Sequence, residues 1–208
     1  MQRSVIGLAV LGLAVAVGDV AAQATATPSF NAPYRAFARH EFGGTISFQE
    51  GDLTNLEGQF RFGYRAFDIG FRGGIGFVND PGEDQILLGA EARYRVLTHT
   101  QDFPLDGALI VGGGFRFNGG TIFNVPVGLS LGRRLDVEGS QVSIVPYVQP
   151  TLFMYFGDVG FNDNFEAEFG FGFGADFRLS RVFDVRVSGG IGTSGAPEGV
   201  AISAVWVR

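Results

Sequence analysis

Cysteine and lysine are both missing from the 208 residues, histidine occurs twice and tryptophan once. Without cysteine there is no disulfide, no thiolate chemistry, no zinc–thiolate site and no lipid-modified amino-terminal cysteine. The fold must therefore hold through hydrogen-bonded closure and packing. All 15 basic residues are arginine, the net charge is −6 and no basic stripe forms, which sets nucleic acid aside as a partner. The two histidines, His40 and His99, are too few for a metal cluster, and the strand reading gives neither a serine partner on a shared face. The chain is accordingly expected to be no enzyme and to carry no cofactor. After the amino terminus no stretch approaches ~20 consecutive apolar residues, which excludes membrane-spanning helices.

The amino terminus is the one apolar run. MQRSVIGLAVLGLAVAVGDVAAQA places Arg3 before a short hydrophobic stretch and closes on small residues. Residues 1–22 therefore read as a secretory signal peptide. Residues 23–40 include ATATPSFNAPY, a mixture of proline, threonine and asparagine that reads as a periplasmic lead-in. Residues 41–208 remain as one domain.

What the chain has in abundance is glycine, with 33 residues, and phenylalanine, with 22. They alternate. From 165 to 179 the sequence is FEAEFGFGFGADFRL, with Phe165, Phe169, Phe171, Phe173 and Phe177 on odd positions and Glu166, Glu168, Asp176 and Arg178 among the glycines on even ones. Successive side chains of a strand point to opposite faces, so one face is a phenylalanine wall and the other is charge and glycine. The pattern recurs at 41–49, 56–65, 67–77, 85–97, 107–117, 121–132, 141–156, 183–191 and 200–208. Only 141–156 is apolar on both faces.

Repeated in nearly every strand and placed behind an export signal, this alternation predicts an all-β fold, a single closed antiparallel up-and-down transmembrane β-barrel of ten strands, with eight as the runner-up count. The expected location is the cell outer membrane. The inward face supplies Glu57, Asp68, Glu91, Glu166, Glu168, Asp176 and Asp184 against Arg61, Arg65, Arg72, Arg93, Arg95, Arg116, Arg178 and Arg186. Charge in a narrow lumen must be paired, so these residues are expected to form a salt-bridged network that largely plugs the interior. A narrow channel for ions or small solutes is the second reading. A secreted soluble barrel, with phenylalanines inward around an apolar ligand, is the alternative of another class.

Aromatic residues are expected in two rings at the membrane interfaces, among them Tyr64, Phe67, Tyr94, Phe117, Phe123, Phe156, Phe165, Phe183 and Trp206. Taking strand one as running outward, acids gather in the outer loops (Glu50, Asp52, Asp80, Glu83, Asp84, Asp158, Asp163 and Glu198), whereas Arg133, Arg134 and Arg181 lie in inner connections. Divalent cations bridging the outer acids to phosphorylated lipid would follow. Asp158, Asn162, Asp163 and Asn164 are calcium-ligand candidates in one loop. Pro126, Pro146 and Pro150 each delete a ladder hydrogen bond, and the equal parity of the last two directs both losses toward one neighbouring strand.

The signal peptide, the dyad strands such as 166–178 and the terminal VAISAVWVR resemble the small bacterial outer-membrane β-barrel proteins, the outer-membrane protein A-type barrel and its relatives. The resemblance covers about residues 41–208. It implies outer-membrane lipid as surroundings and the barrel-assembly machinery as partner during insertion; it indicates no oligomeric state. Members of that family usually finish on an aromatic residue, whereas Trp206 here is followed by Val207 and Arg208. No peptidoglycan-binding domain is expected after the barrel.

Overall fold

The computed structural model describes residues 24–33, 40–50, 52–78, 84–118, 120–157, 165–193 and 197–208. The predicted signal peptide, the loop acids Asp80, Glu83, Asp158 and Asp163, and the calcium candidates Asn162 and Asn164 lie outside the described residues. Ten long strands are present: β1 (His40–Gln49), β2 (Leu53–Tyr64), β3 (Phe67–Phe77), β4 (Gln85–Leu97), β5 (Asp106–Asn118), β6 (Gly120–Gly132), β7 (Ser143–Gly157), β8 (Phe165–Arg178), β9 (Phe183–Gly192) and β10 (Gly199–Val207). Each pairs antiparallel with its neighbours in sequence. The ring is sealed by β1 against β10, from Glu41 opposite Val207 to Gln49 opposite Gly199. Just beyond that ladder, His40 and Arg208 exchange backbone hydrogen bonds of 3.2 and 2.8 Å. The fold is a closed ten-stranded antiparallel barrel, so the count of eight is excluded.

Period-two alternation decides which side chains face out. In β3, Phe67, Phe71, Ile75 and Phe77 are exposed while Asp68 and Arg72 are buried. In β2, Leu56 and Phe60 point outward and Glu57 and Arg61 inward. Phenylalanines therefore line the outside, which removes the alternative of a soluble barrel with an aromatic interior. β2 begins earlier than the alternation suggested, because Thr54 and Asn55 continue the ladder opposite Phe48 and Ser47. A two-residue piece, Leu135–Asp136, pairs with Ile144 and Ser143 and folds the connection between β6 and β7 back against the foot of β7.

Residues 24–33 lie inside the barrel. Every one of them is buried, and Ala26, Phe30 and Ala32 pack with Val145, Tyr147, Phe153 and Tyr155 of β7. Residues 24–33, part of the stretch expected as a periplasmic lead-in, are thus enclosed by the wall. The segment is uncharged and, apart from Phe30, built mostly of small residues, and its carbonyls accept from donors on the wall. The same packing explains why β7 alone is apolar on both faces: its outer side chains face the surroundings and its inner ones face this segment.

The prolines interrupt ladders where parity predicts. Pairing between β6 and β7 runs to Gly128 opposite Thr151 and resumes at Leu131 opposite Val148, leaving a gap at Pro150. The β7–β8 ladder is continuous from Ser143 to Phe156. Pro126 interrupts the β5–β6 ladder in the same way, between Val111 opposite Val127 and Gly114 opposite Asn124.

Candidate functional site

The interior gathers most of the charged side chains among the described residues, in two ion-paired clusters. The first is built by β2, β3 and β4. Arg61 meets Asp68 at 2.6 Å and also pairs with Glu91. Glu91 takes a second contact of 3.1 Å from Arg93. Register makes this possible, because Gly70 stands opposite both Arg61 and Glu91. A Cβ at Gly70 would sit 2.9 Å from the Arg61 guanidinium, so the glycine lets that side chain cross a whole strand to reach its partner. Nearby, Arg72 lies 3.6 Å from Glu57 and donates to Gln59 at 2.9 Å.

The second cluster spans β8, β9 and β1. Asp176 and Arg186 are direct partners in the β8–β9 register, as are Arg178 and Asp184. The corresponding contacts are 3.6 and 3.3 Å. Arg186 also binds Glu41 of β1 at 2.5 Å. Both guanidinium groups at the hearts of the clusters, Arg93 and Arg186, are essentially inaccessible to solvent. Ions so buried are costly unless they are paired.

The internal segment supplies further partners. The Asn31 carbonyl accepts from Arg93 at 2.8 Å and from Ser130 at 3.1 Å, and the Asn31 side-chain oxygen accepts from Arg186 at 2.5 Å. One residue thus ties the two clusters together across the lumen. Further along, the Ala26 carbonyl accepts from Gln49 and Arg116, and Thr27 donates to Glu57 at 2.8 Å. Ser188 donates to the Pro28 carbonyl at 2.7 Å and accepts from the Phe30 amide at 3.1 Å. Ala26 adopts φ of 53°, a left-handed turn that brings Ala24 back against β4 and β5.

Wall glycines make the room. A Cβ at Gly172 would lie 2.5 Å from the Phe30 ring, and one at Gly89 would lie 2.9 Å from Ala24. Side chains at either position would expel the segment.

No family model and no curated protein matches the chain. Among solved structures it is similar to a de novo designed transmembrane β-barrel, at 13% identity and TM-score 0.41, covering 82% of this chain and 96% of that one. It is also similar to the β domain of the Bordetella autotransporter Brka, at 12% identity and TM-score 0.49, covering 82% of this chain and 98% of that one. At this distance nothing about activity transfers.

Of the interior charges expected from parity, Glu57, Arg61, Asp68, Arg72, Glu91 and Arg93 meet in the first cluster and Asp176, Arg178, Asp184 and Arg186 in the second. Arg116 is partly buried against the segment, and Glu168 accepts from Thr193 apart from both clusters. Three expectations are corrected. Arg65 is exposed in the turn after β2, at φ 57°, with its guanidinium 5.3 Å from the Tyr64 ring. Arg95 and Glu166 are exposed near strand ends, where the interior opens to water. Glu41, Asn31, Ser130 and Ser188 were missed. Glu41 shares the inward parity of β1 and was legible; Asn31 sits in a segment without periodicity.

The aromatic positions fall at two levels. At one end the Phe123 ring lies 6.1 Å from Phe156, which stands 5.1 Å from Phe165, with Phe117 beside Phe115. At the end that holds Arg208, Phe67 meets Tyr94 at 5.2 Å and Phe183 meets Trp206 at 5.1 Å, and Tyr64 is exposed. His99 is spoken for by Asp106, 2.9 Å from its Nδ1, and His40 lies beside the Phe60 and Phe62 rings.

Proposed function

We propose that the chain is an integral outer-membrane β-barrel with a closed interior, a structural, non-enzymatic component of the envelope delivered by signal-directed export and inserted by the barrel-assembly machinery. The observation that carries the closed interior is the complete burial of residues 24–33 between two ion-paired clusters that Asn31 joins. A cavity beside Ala24, Arg61 and Glu91 measures about 10 Å³, room for roughly one water molecule. The membrane reading is supported by the outward apolar band and its aromatic ends. A soluble protein rarely exposes contiguous apolar surface of this extent, whereas acyl chains cover it at no cost.

Reconstitution into planar bilayers tests the closed state. The intact, processed protein is expected to give no ion current at moderate voltage. Stable ohmic steps from the intact chain would replace this reading with that of a narrow channel.

A further inference from the structure

We propose that the barrel mouth on the side of Arg208 carries a binding site for the phosphate of an anionic glycerophospholipid, formed by Arg134, Arg178 and Arg181 with Gln141. The proposal rests on the membrane reading, which puts this mouth at the periplasmic leaflet, and it shares Arg178 with the second lumen cluster. These four residues line a cavity of about 430 Å³. That volume falls within the ~300–1,000 Å³ range of small-ligand sites. Arg134 and Gln141 come from the connection between β6 and β7; Arg178 ends β8, and Arg181 lies in the turn that leads into β9.

Both arms are held in place. In the β6–β7 connection the Val137 amide donates to the Val142 carbonyl and the Ser140 amide to the Val137 carbonyl, at 3.2 and 3.1 Å. In the β8–β9 turn the Leu179 and Ser180 amides both donate to the Phe183 carbonyl at 3.1 Å. The guanidinium groups are therefore presented by fixed backbone, which lowers the ordering cost of binding.

The charge balance leaves room for an anion. Arg178 is engaged by Asp184 and Arg134 by Asp136, the latter a solvent-exposed pair that an incoming phosphate can exchange cheaply. Glu138 is a further acid on the same connection. Among the described residues no carboxylate pairs with Arg181. Guanidinium groups match phosphate oxygens with two parallel N–H donors.

A lipid is favoured over a free phosphate by what stands next to each arginine. Leu135 follows Arg134, Leu179 follows Arg178 and Val182 follows Arg181, and all three apolar side chains are about half exposed. Cation and apolar neighbour repeat three times at the level of the Phe183–Trp206 contact, where headgroup phosphates lie above acyl chains.

The test uses intact protein in phosphatidylcholine vesicles with a small fraction of spin-labelled phosphatidylglycerol or spin-labelled phosphatidylcholine, comparing wild type with the double variant Arg134→Gln/Arg181→Gln. Wild type is expected to prefer the anionic lipid on the order of fivefold, the double variant to lose that preference, and inorganic phosphate at millimolar concentration to leave wild type unchanged. Insertion of both proteins is checked by the shift of the folded band on unheated gels. An inserted wild type without preference, or an inserted double variant that keeps it, overturns the site. Abolition of the preference by inorganic phosphate overturns the lipid as its ligand. A chain that stays outside the vesicles overturns this site together with the membrane reading.

Discussion

Asn31 is the residue on which the interior turns. Its carbonyl and its side chain accept from Arg93, Ser130 and Arg186, which belong to different parts of the wall. Asn31→Ala keeps the carbonyl and removes the acceptor for Arg186, leaving a buried donor short of one partner. The expected loss is about 1–3 kcal/mol, read as a lower midpoint in urea unfolding with an unchanged slope. Glu41→Ala is expected to cost more, about 3–5 kcal/mol, because it takes the carboxylate from an arginine that is almost fully buried. Equal stability of the two variants would show that Asp176 alone compensates Arg186. Gly172→Leu probes the same region by bulk. The added side chain competes with Phe30 for space, and the expected outcome is protease access to the segment in an otherwise folded barrel.

At the level of the strands, an outward phenylalanine in mid-strand is a depth gauge. Phe71→Arg, in the middle of β3, is expected to destabilise the inserted barrel by about 2–4 kcal/mol, and the same change at Phe77 by less, since the cost of a cation falls toward the interface. Comparable costs at both positions would contradict the orientation of the band. The proline gap makes a second expectation. Amide exchange should be fastest at the β6–β7 ladder around 128–131, and uniformly slow exchange across both ladders of β7 would show that the gap opens nothing. The strands themselves were legible from alternation alone, β3 and β4 to the residue, because one face is apolar and exposed while the other is charged and enclosed. β7 resisted that reading for a physical reason: its inner face packs on Phe30 and Ala26, so the contrast between the faces vanishes. Arg95 and Glu166 misled for the opposite reason, since parity continues to the strand ends after the enclosed space has stopped.

For the molecule as a whole, the unusual composition follows from one geometry. A ten-stranded ring leaves a narrow interior, and glycines keep it open enough for guanidinium groups to cross strands and for a ten-residue segment to enter. Phenylalanine supplies the outside. The segment was not legible as an interior element because it has no period and no charge; its fitness for the lumen lies in those absences, which leave backbone carbonyls free to face arginine. The proposed closed state depends on that segment filling a barrel that stands in a bilayer. Bilayer conductance of the processed chain, with and without residues 24–33, tests it most directly. Silence is expected from the intact protein and discrete current steps from the deleted one. Equal conductance of the two would contradict it.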